Sequence, residues 1–316
     1  METQSVLAAI RRPRFRRAAE PSAFRLTDDD VEIVRQLARH RFLRSTHIAA
    51  LVGRSLDRVN DRLCHLYHAG YIDRPRAQLD CHATAGSAPM VYALADRGAP
   101  LLIERDGVEF ANVEWSRKNR AADRPFIEHR LEIVDFQVAL ERATHTRDGV
   151  RLIPPDEIVA SLPEPYRRSR NPFAIAVKVA HHGLFHEVGI VPDHVFGLEH
   201  SNGSRRNFMV EIDRGTMPVS RSDLRQTSIE RKMRAYLAAH ATKQHEPRFG
   251  WRTFRVLTVT TDERRLRSMT NALRQIRVPN SPSAALFLFA TRADARASNP
   301  LAQAWRDGTG RDVQLF

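Results

Sequence analysis

Between positions 27 and 69 apolar residues recur three and four places apart, the period of helices that lay one face on a core. Thr27 precedes Asp28, Asp29 and Asp30. A hydroxyl cap followed by carboxylates suits the positive end of a helix dipole, and Val31, Val34, Leu37 and Ala38 then share one face. A second, shorter helix is predicted after Ser45-Thr46, through Ile48 and Leu51 to a stop at Gly53. The third covers 55–69, with Leu56, Val59, Leu63, Leu66 and Tyr67 inward, and Gly70 ends it. The pattern then turns extended. Residues 71–78 run out, Ala85-Gly86-Ser87 turns, and 90–94 return as a hairpin.

The polar stretch Trp115-Ser116-Arg117-Lys118-Asn119-Arg120, leading to Pro125, reads as a linker. Four segments are therefore expected: a mobile basic arm at 1–25, a first domain at 26–110, a linker at 111–125 and a second domain at 126–316. The second domain opens on a helix at 126–143, followed by strand-like segments at 150–153, 173–179, 184–198 and 208–212. A helix at 223–239, a buried-type strand at 254–260, a basic amphipathic helix at 263–276 and an apolar strand at 285–290 come next, then a short tail helix holding Trp305. This order predicts an α/β domain on a mixed central sheet, and an α+β or α/β class for the whole chain.

Composition narrows the function classes. No apolar run approaches the ~18 residues that span a bilayer. The stretch from Val6 to Ile10 is too short for a signal peptide, and the basic cluster follows it rather than preceding it. A cytoplasmic protein without a membrane partner is expected. Cys64 and Cys81 form no CxxC pair, which disfavours a disulfide framework and a cysteine zinc site. Lys and Arg number 50 against 37 Asp and Glu, a net charge of +13. Only four of the cations are lysines: Lys118, Lys178, Lys232 and Lys243. A GC-rich genome accounts for arginine in place of lysine but not for the excess of cations over anions. That excess points to a polyanion, most simply double-stranded DNA.

Thr46, Gly53-Arg54-Ser55, Leu63, Leu66, Ala69-Gly70-Tyr71-Ile72 and Val91-Tyr92-Ala93-Leu94 together resemble the winged helix-turn-helix superfamily. The resemblance implies a recognition helix whose N-terminal part enters the major groove. Arg54, Ser55, Arg58 and Arg62 would be its DNA-facing residues, and Arg74 and Arg76 on the wing would reach the minor groove or the backbone. The competing reading is a solvated helix face partly neutralised by Asp57 and Asp61. Winged helices often dimerise on palindromes, so a homodimer is among the expected assemblies.

Carboxylates stand out in the second half. Val191-Pro192-Asp193 lies in a strand pattern, and the next strand ends Val210-Glu211-Ile212-Asp213-Arg214-Gly215. Alternation puts Glu211 and Asp213 on one face, and antiparallel pairing across the turn at 201–204 would bring Asp193 close to Glu211. Converging carboxylates need a divalent cation between them, so Asp193, Glu211 and Asp213 are candidate ligands for Mg²⁺ or Mn²⁺. Pro192, Asp193 and Glu211 resemble the PD-(D/E)xK nuclease superfamily, which implies catalytic roles for Asp193 and Glu211. Asp213 stands where that family has lysine. In some members the lysine moves to the following helix, where Lys232 is placed. Members of the family often add an acid from the first helix; Glu132 fits best here, with Glu128 and Asp135 nearby. A Pro-Asp turn and a solvated strand edge are the plainer alternatives.

Two weaker motifs remain. His181-His182, with His186 and His194 beyond, allows a zinc or manganese site, although turn and surface histidines are commoner. Tyr166, in a Pro- and Arg-rich loop, has the character of a relaxase nucleophile but lacks the histidine cluster such chemistry needs.

Val91-Tyr92-Ala93-Leu94 with Gly98, Glu128-His129-Arg130-Leu131, Val191-Pro192-Asp193, Glu211 to Thr216, and Lys232 with Tyr236 occur in an order similar to that of the replication-relaxation family of plasmids and mobile elements. The resemblance runs from about Leu26 to Trp305. It implies an N-terminal winged helix joined to a nuclease-like domain, work in replication or DNA relaxation, and protein partners from the same machinery. Two functions compete: a metal-dependent endodeoxyribonuclease targeted by its winged helix, or a nuclease fold that has lost its chemistry and serves as a DNA-binding replication or transcription factor.

Overall fold

The structure, a computed structural model, describes residues 13–81, 88–110, 114–277 and 282–315. The chain separates into two compact units, 1–134 and 135–316. Positions 1–12 of the expected arm and the turn at 85–87 lie outside the described residues.

The first unit is built on α1 (Asp28–His40), α2 (Ser45–Val52) and α3 (Leu56–His68). Thr27 caps α1 reciprocally: its side chain accepts from the Asp30 amide while the Asp30 side chain accepts from the Thr27 amide. Ser55 caps α3, and Gly53, at φ +67°, ends α2. Val34, Leu37, Ile48, Val59, Leu63 and Leu66 are buried between the three helices. Leu56, expected inward, is 40% exposed because it falls on the open first turn of α3.

The hairpin is shorter than its pattern. Strand β2 is only Ile72–Asp73, and the chain then winds into a 3-10 helix at Arg76–Cys81 before β3 (Val91–Leu94). Pro75 removes a ladder donor just after β2, which stops the strand. A further strand, β1 (Leu43–Arg44), pairs with β3 and completes the sheet order β1-β3-β2.

After β3 come α4 (Gly98–Asp106) and α5 (Trp115–Ala121), the latter inside the expected linker. Asn119 on α5 is buried and donates to Leu94 O and Asp73, so this segment is packed rather than free. Residues 13–25 are docked too: Arg17 donates to Tyr67 O and Ile72 O and pairs with Asp73 at 2.6 Å. The next helix, α6 (Arg124–His145), carries the boundary between the units.

The second unit continues with β4 (Val150–Ile153), α7 (Pro155–Ser161), α8 (Glu164–Arg167), β5 (Ile175–His181), β6 (Leu184–Ile190), β7 (His194–His200) and β8 (Arg205–Ile212). It ends with α9 (Ile229–Ala241), α10 (His245–Phe249), β9 (Arg255–Thr260), α11 (Glu263–Ile276), β10 (Phe287–Thr291), α12 (Arg292–Ala297), β11 (Trp305–Asp307) and β12 (Asp312–Val313). Seven strands form one mixed sheet, ordered β12-β11-β10-β9-β8-β7-β4. In it β8, β9 and β10 run parallel, and β4, β7 and β8 alternate in direction. The class is thus α+β with a mixed sheet.

Three expectations are corrected here. The segment 184–198 is two strands in two sheets: β6 pairs with β5 in a two-stranded sheet, and β7 joins the central sheet. Pro192 separates them, since it has no amide hydrogen to donate and restricts Val191 before it. The helix expected at 223–239 begins at Ile229, where the Ser228 hydroxyl caps it. Trp305 lies in strand β11 rather than a helix, fully buried, its indole N–H donating to Pro300 O.

Candidate functional site

The site rests on the pairing of β7 with β8. His194 faces Val210, and the Asp193 amide donates to Val210 O at 2.9 Å, so the antiparallel register sets Asp193 across from Glu211. The Asp193 carboxylate bridges the strands as well, Oδ2 accepting from the Ile212 amide at 2.8 Å. The strand pairing expected from the sequence is therefore present, with Pro192 and Asp193 at the point where the chain enters the central sheet.

Glu211 is buried and gripped from α9. Lys232 Nζ donates to Glu211 Oε2 at 2.6 Å, and the Tyr236 hydroxyl donates to Oε1 at 2.6 Å. Lys232 and Tyr236 stand four places apart, on one helix face. That face is aimed at the strand because Met233, Ala235 and Ala239 bury the neighbouring stripe of α9. Burial pushes the Glu211 carboxyl above its ordinary value, and Asp193 adds to this while Lys232 opposes it. Burial opposes the charged form of Lys232, but Glu211 and Asp193 more than offset it, so this lysine titrates above the usual lysine range. Tyr236 is raised well above its ordinary value by burial and by Glu211, so it is a neutral hydrogen-bond donor.

Asp213 makes a separate set of hydrogen bonds, although its charge also acts on Lys232. Its Oδ2 accepts from the Thr260 hydroxyl at 2.7 Å and from Arg265 Nε, and its Oδ1 accepts from Arg265 Nη2 at 2.8 Å and the Gly215 amide at 3.2 Å. A carboxylate has about four acceptor positions, and these four bonds fill them. Arg265 also donates to Met217 O, and Arg292 to Asp213 O, so Asp213 ties the end of β8 to α11 and α12. The sequence pattern placed Asp213 beside Glu211 by alternation, but β8 ends at Ile212 and the period of two stops applying there.

Asp193 and Glu211 are the two candidate carboxylates that lie across from each other on paired strands. Glu211 oxygens each accept one bond and retain acceptor capacity, and Asp193 is its cross-strand neighbour. Hard oxygens in this number fit Mg²⁺, which keeps several waters and needs only one or two carboxylates beside substrate phosphates. Among the described residues no three His, Cys, Asp or Glu side chains converge as a metal group. Glu132 lies on α6 in the first unit, as does Glu128, which pairs with Arg124 at 2.6 Å.

The histidine motif is a hairpin turn: His182 and Gly183, at φ +48° and +76°, form its two-residue loop. The His181 and His182 rings lie with centres 4.0 Å apart and tilted by 50°, and His194 is elsewhere, bonded to Gln137 at 2.8 Å. Tyr166 on α8 packs on the core under the Arg248 guanidinium, 4.4 Å from the ring centre.

In the first unit the predicted DNA-facing arginines are distributed unevenly. Arg54 forks onto the Asp29 carboxylate at 2.9 and 3.1 Å, with Arg58 at 3.6 Å from the same group. Arg62 pairs with fully buried Asp30 and donates to Arg25 O. The Ser55 hydroxyl is used as the α3 cap. Arg74 lies over the Tyr67 ring at 4.1 Å and donates to Arg14 O, while Arg76 is exposed on the 3-10 helix.

The family model for replication-relaxation proteins matches residues 34–253, more than two thirds of the chain. The chain belongs to the replication-relaxation family. The match takes in α3, β3, Asp193, Glu211, Lys232 and Tyr236. No curated protein and no solved structure matches the chain. Within the described residues of this family member, no helix is long and apolar enough to cross a membrane.

Proposed function

We propose that this replication-relaxation protein binds duplex DNA of a plasmid or other mobile element through a winged helix, and cuts it with a PD-(D/E)xK-type centre in the second unit. The observation that carries the reading is the Glu211–Lys232 pair. The strand has Asp213 where that superfamily has its lysine, and α9 supplies a lysine to the same carboxylate at 2.6 Å. Element order supports it: α6, the antiparallel strands β4, β7 and β8, then α9, then β9 parallel to β8, with the β5–β6 hairpin inserted. In the first unit, three helices with a small antiparallel sheet support a winged helix.

Asp193 and Glu211 would hold Mg²⁺ or Mn²⁺. When bound, the cation supplies positive charge against the charge that develops on a cleaved phosphodiester. Lys232, kept charged by the two carboxylates, is available to hold a phosphate oxygen or orient the attacking water. Tyr236 fixes the orientation of Glu211 from the buried side. The Asp213–Arg265 pair ties the end of β8 to α11, two residues beyond Glu211.

The test is cleavage of supercoiled plasmid in Mg²⁺ or Mn²⁺ by wild type, Asp193→Ala and Lys232→Ala. Nicking or linearisation by wild type that both substitutions abolish is expected. The second reading, a silent nuclease fold acting as a DNA-binding platform, is favoured by the internal partners that occupy Glu211 and Asp213. It would take over if wild type leaves the plasmid intact while duplex binding stays salt-sensitive.

A further inference from the structure

Arg54, in the turn before α3, and Arg58 and Arg62 on α3 divide into one that is locked and two that are lent. Arg62 is locked: its side chain is 21% exposed and its partner Asp30 not at all, and Asp30 is also the residue that closes the α1 cap. Arg54 and Arg58 are different. Their side chains are 47% and 65% exposed, and both turn to the same partly exposed carboxylate, Asp29. The Arg54 fork on Asp29 has the two-bond geometry that guanidinium groups use equally on carboxylates and on phosphates. An exposed pair of this kind contributes little to stability, so its exchange for another anion is inexpensive.

From this geometry we infer that Arg54 and Arg58 form a clamp for one DNA-backbone phosphate, and that Asp29 is its internal competitor. The inference rests on the DNA-binding reading above and changes the role of these residues within it. They hold the backbone rather than read a base, and Arg62 makes no DNA contact. Asp29 occupies the clamp in free protein and repels a phosphate brought near it. Weak, easily reversed binding along DNA is the consequence.

The experiment measures fluorescence anisotropy with short labelled duplexes of two unrelated sequences, across a salt series, using the full chain. Asp29→Asn keeps the side-chain shape and leaves the Thr27–Asp30 cap in place, so it should fold normally; a thermal melt checks this. Removing the competing charge is expected to tighten binding to both duplexes about three- to tenfold at low salt. Arg54→Ala and Arg58→Ala should weaken both duplexes alike and flatten the salt dependence by about one phosphate contact between them. In Arg54→Ala/Arg58→Ala protein, adding Asp29→Asn should give less than half of its gain in the wild-type background. Loss of fold cannot produce tighter binding, so a gain is diagnostic. Unchanged or weaker binding by Asp29→Asn, or a gain on one sequence alone, overturns the inference while leaving DNA binding standing. Absence of salt-sensitive duplex binding by wild type instead removes the reading on which it rests.

Discussion

Replacing Lys232 with methionine tests whether the Glu211 pair is a charged contact held in a buried place. Methionine keeps the apolar stem of the lysine and deletes only the ammonium. Glu211, 7% exposed, would then face Asp193 with the Tyr236 hydroxyl still donating to it. Removing one partner of a buried pair costs about 3–5 kcal/mol. A third of the Lys232 side chain is exposed, so water recovers part of this and about 2–3 kcal/mol is expected near pH 8.

The pH dependence gives the sharper signature. Burial already raises the folded-state value of Glu211, and Lys232 is the main opposing influence. Without Lys232 the carboxyl rises further. A carboxyl raised on folding favours the folded state below its unfolded value, about 4.3, and loses that advantage as pH climbs through the folded value. The defect of Lys232→Met should therefore be smallest near pH 5 and grow towards pH 8. In wild type the raised Lys232 value has the same sign of effect at the alkaline end: its contribution is full below the ordinary lysine value and is lost as pH rises through the folded one. Urea unfolding followed by tryptophan emission, with Trp251 and Trp305 in the second unit, reads the difference. Lys232→Met/Glu211→Gln should recover most of the loss at pH 8. An equal cost at pH 5 and pH 8, with no recovery in the double variant, would refute the buried-charge argument.

Other substitutions separate structural from functional charge. Arg62→Ala leaves Asp30 buried without its guanidinium and should cost about 3 kcal/mol, whereas exposed Arg58→Ala should cost under about 0.5 kcal/mol; paired denaturant melts decide this. Asp213→Asn breaks the Arg265 fork and should lower stability by about 2–4 kcal/mol while leaving Mn²⁺ affinity, measured calorimetrically, within about twofold. A collapse of Mn²⁺ affinity in folded Asp213→Asn protein would return this residue to the metal site. Gly98→Ala would put a Cβ 2.5 Å from both Leu94 Cδ1 and Tyr71 O, and should destabilise the first unit by about 2–3 kcal/mol in a thermal melt.

What was legible in the sequence follows from the range of the interactions concerned. Thr27 and Ser55 announce α1 and α3 because a cap acts within three residues, and the helical periods beyond them are equally local. The Asp193–Glu211 pairing was legible because a polar turn and two alternating strands leave few other registers. Lys232 could be singled out by its rarity among cations and by its place on the next helix. Tyr236 was within reach by the same logic, being one turn along the same face, but its phenol has a role only once Glu211 is known to be buried. Asp213 shows where such reasoning stops. Its partners Thr260 and Arg265 lie 47 and 52 positions away, and only the parallel seating of β9 beside β8 brings them to it. Position 213 therefore reads as a candidate metal ligand from its neighbours in sequence, while its neighbours in space give it an ion pair with Arg265 that the sequence does not announce. The same division holds for Arg54, Arg58 and Arg62, one stripe by period. Burial of Asp30 and exposure of Asp29 sort that stripe into a fixed strut and two arginines free to exchange partners. Local pattern placed charge on the surface of α3, and packing decided which of it another molecule can take.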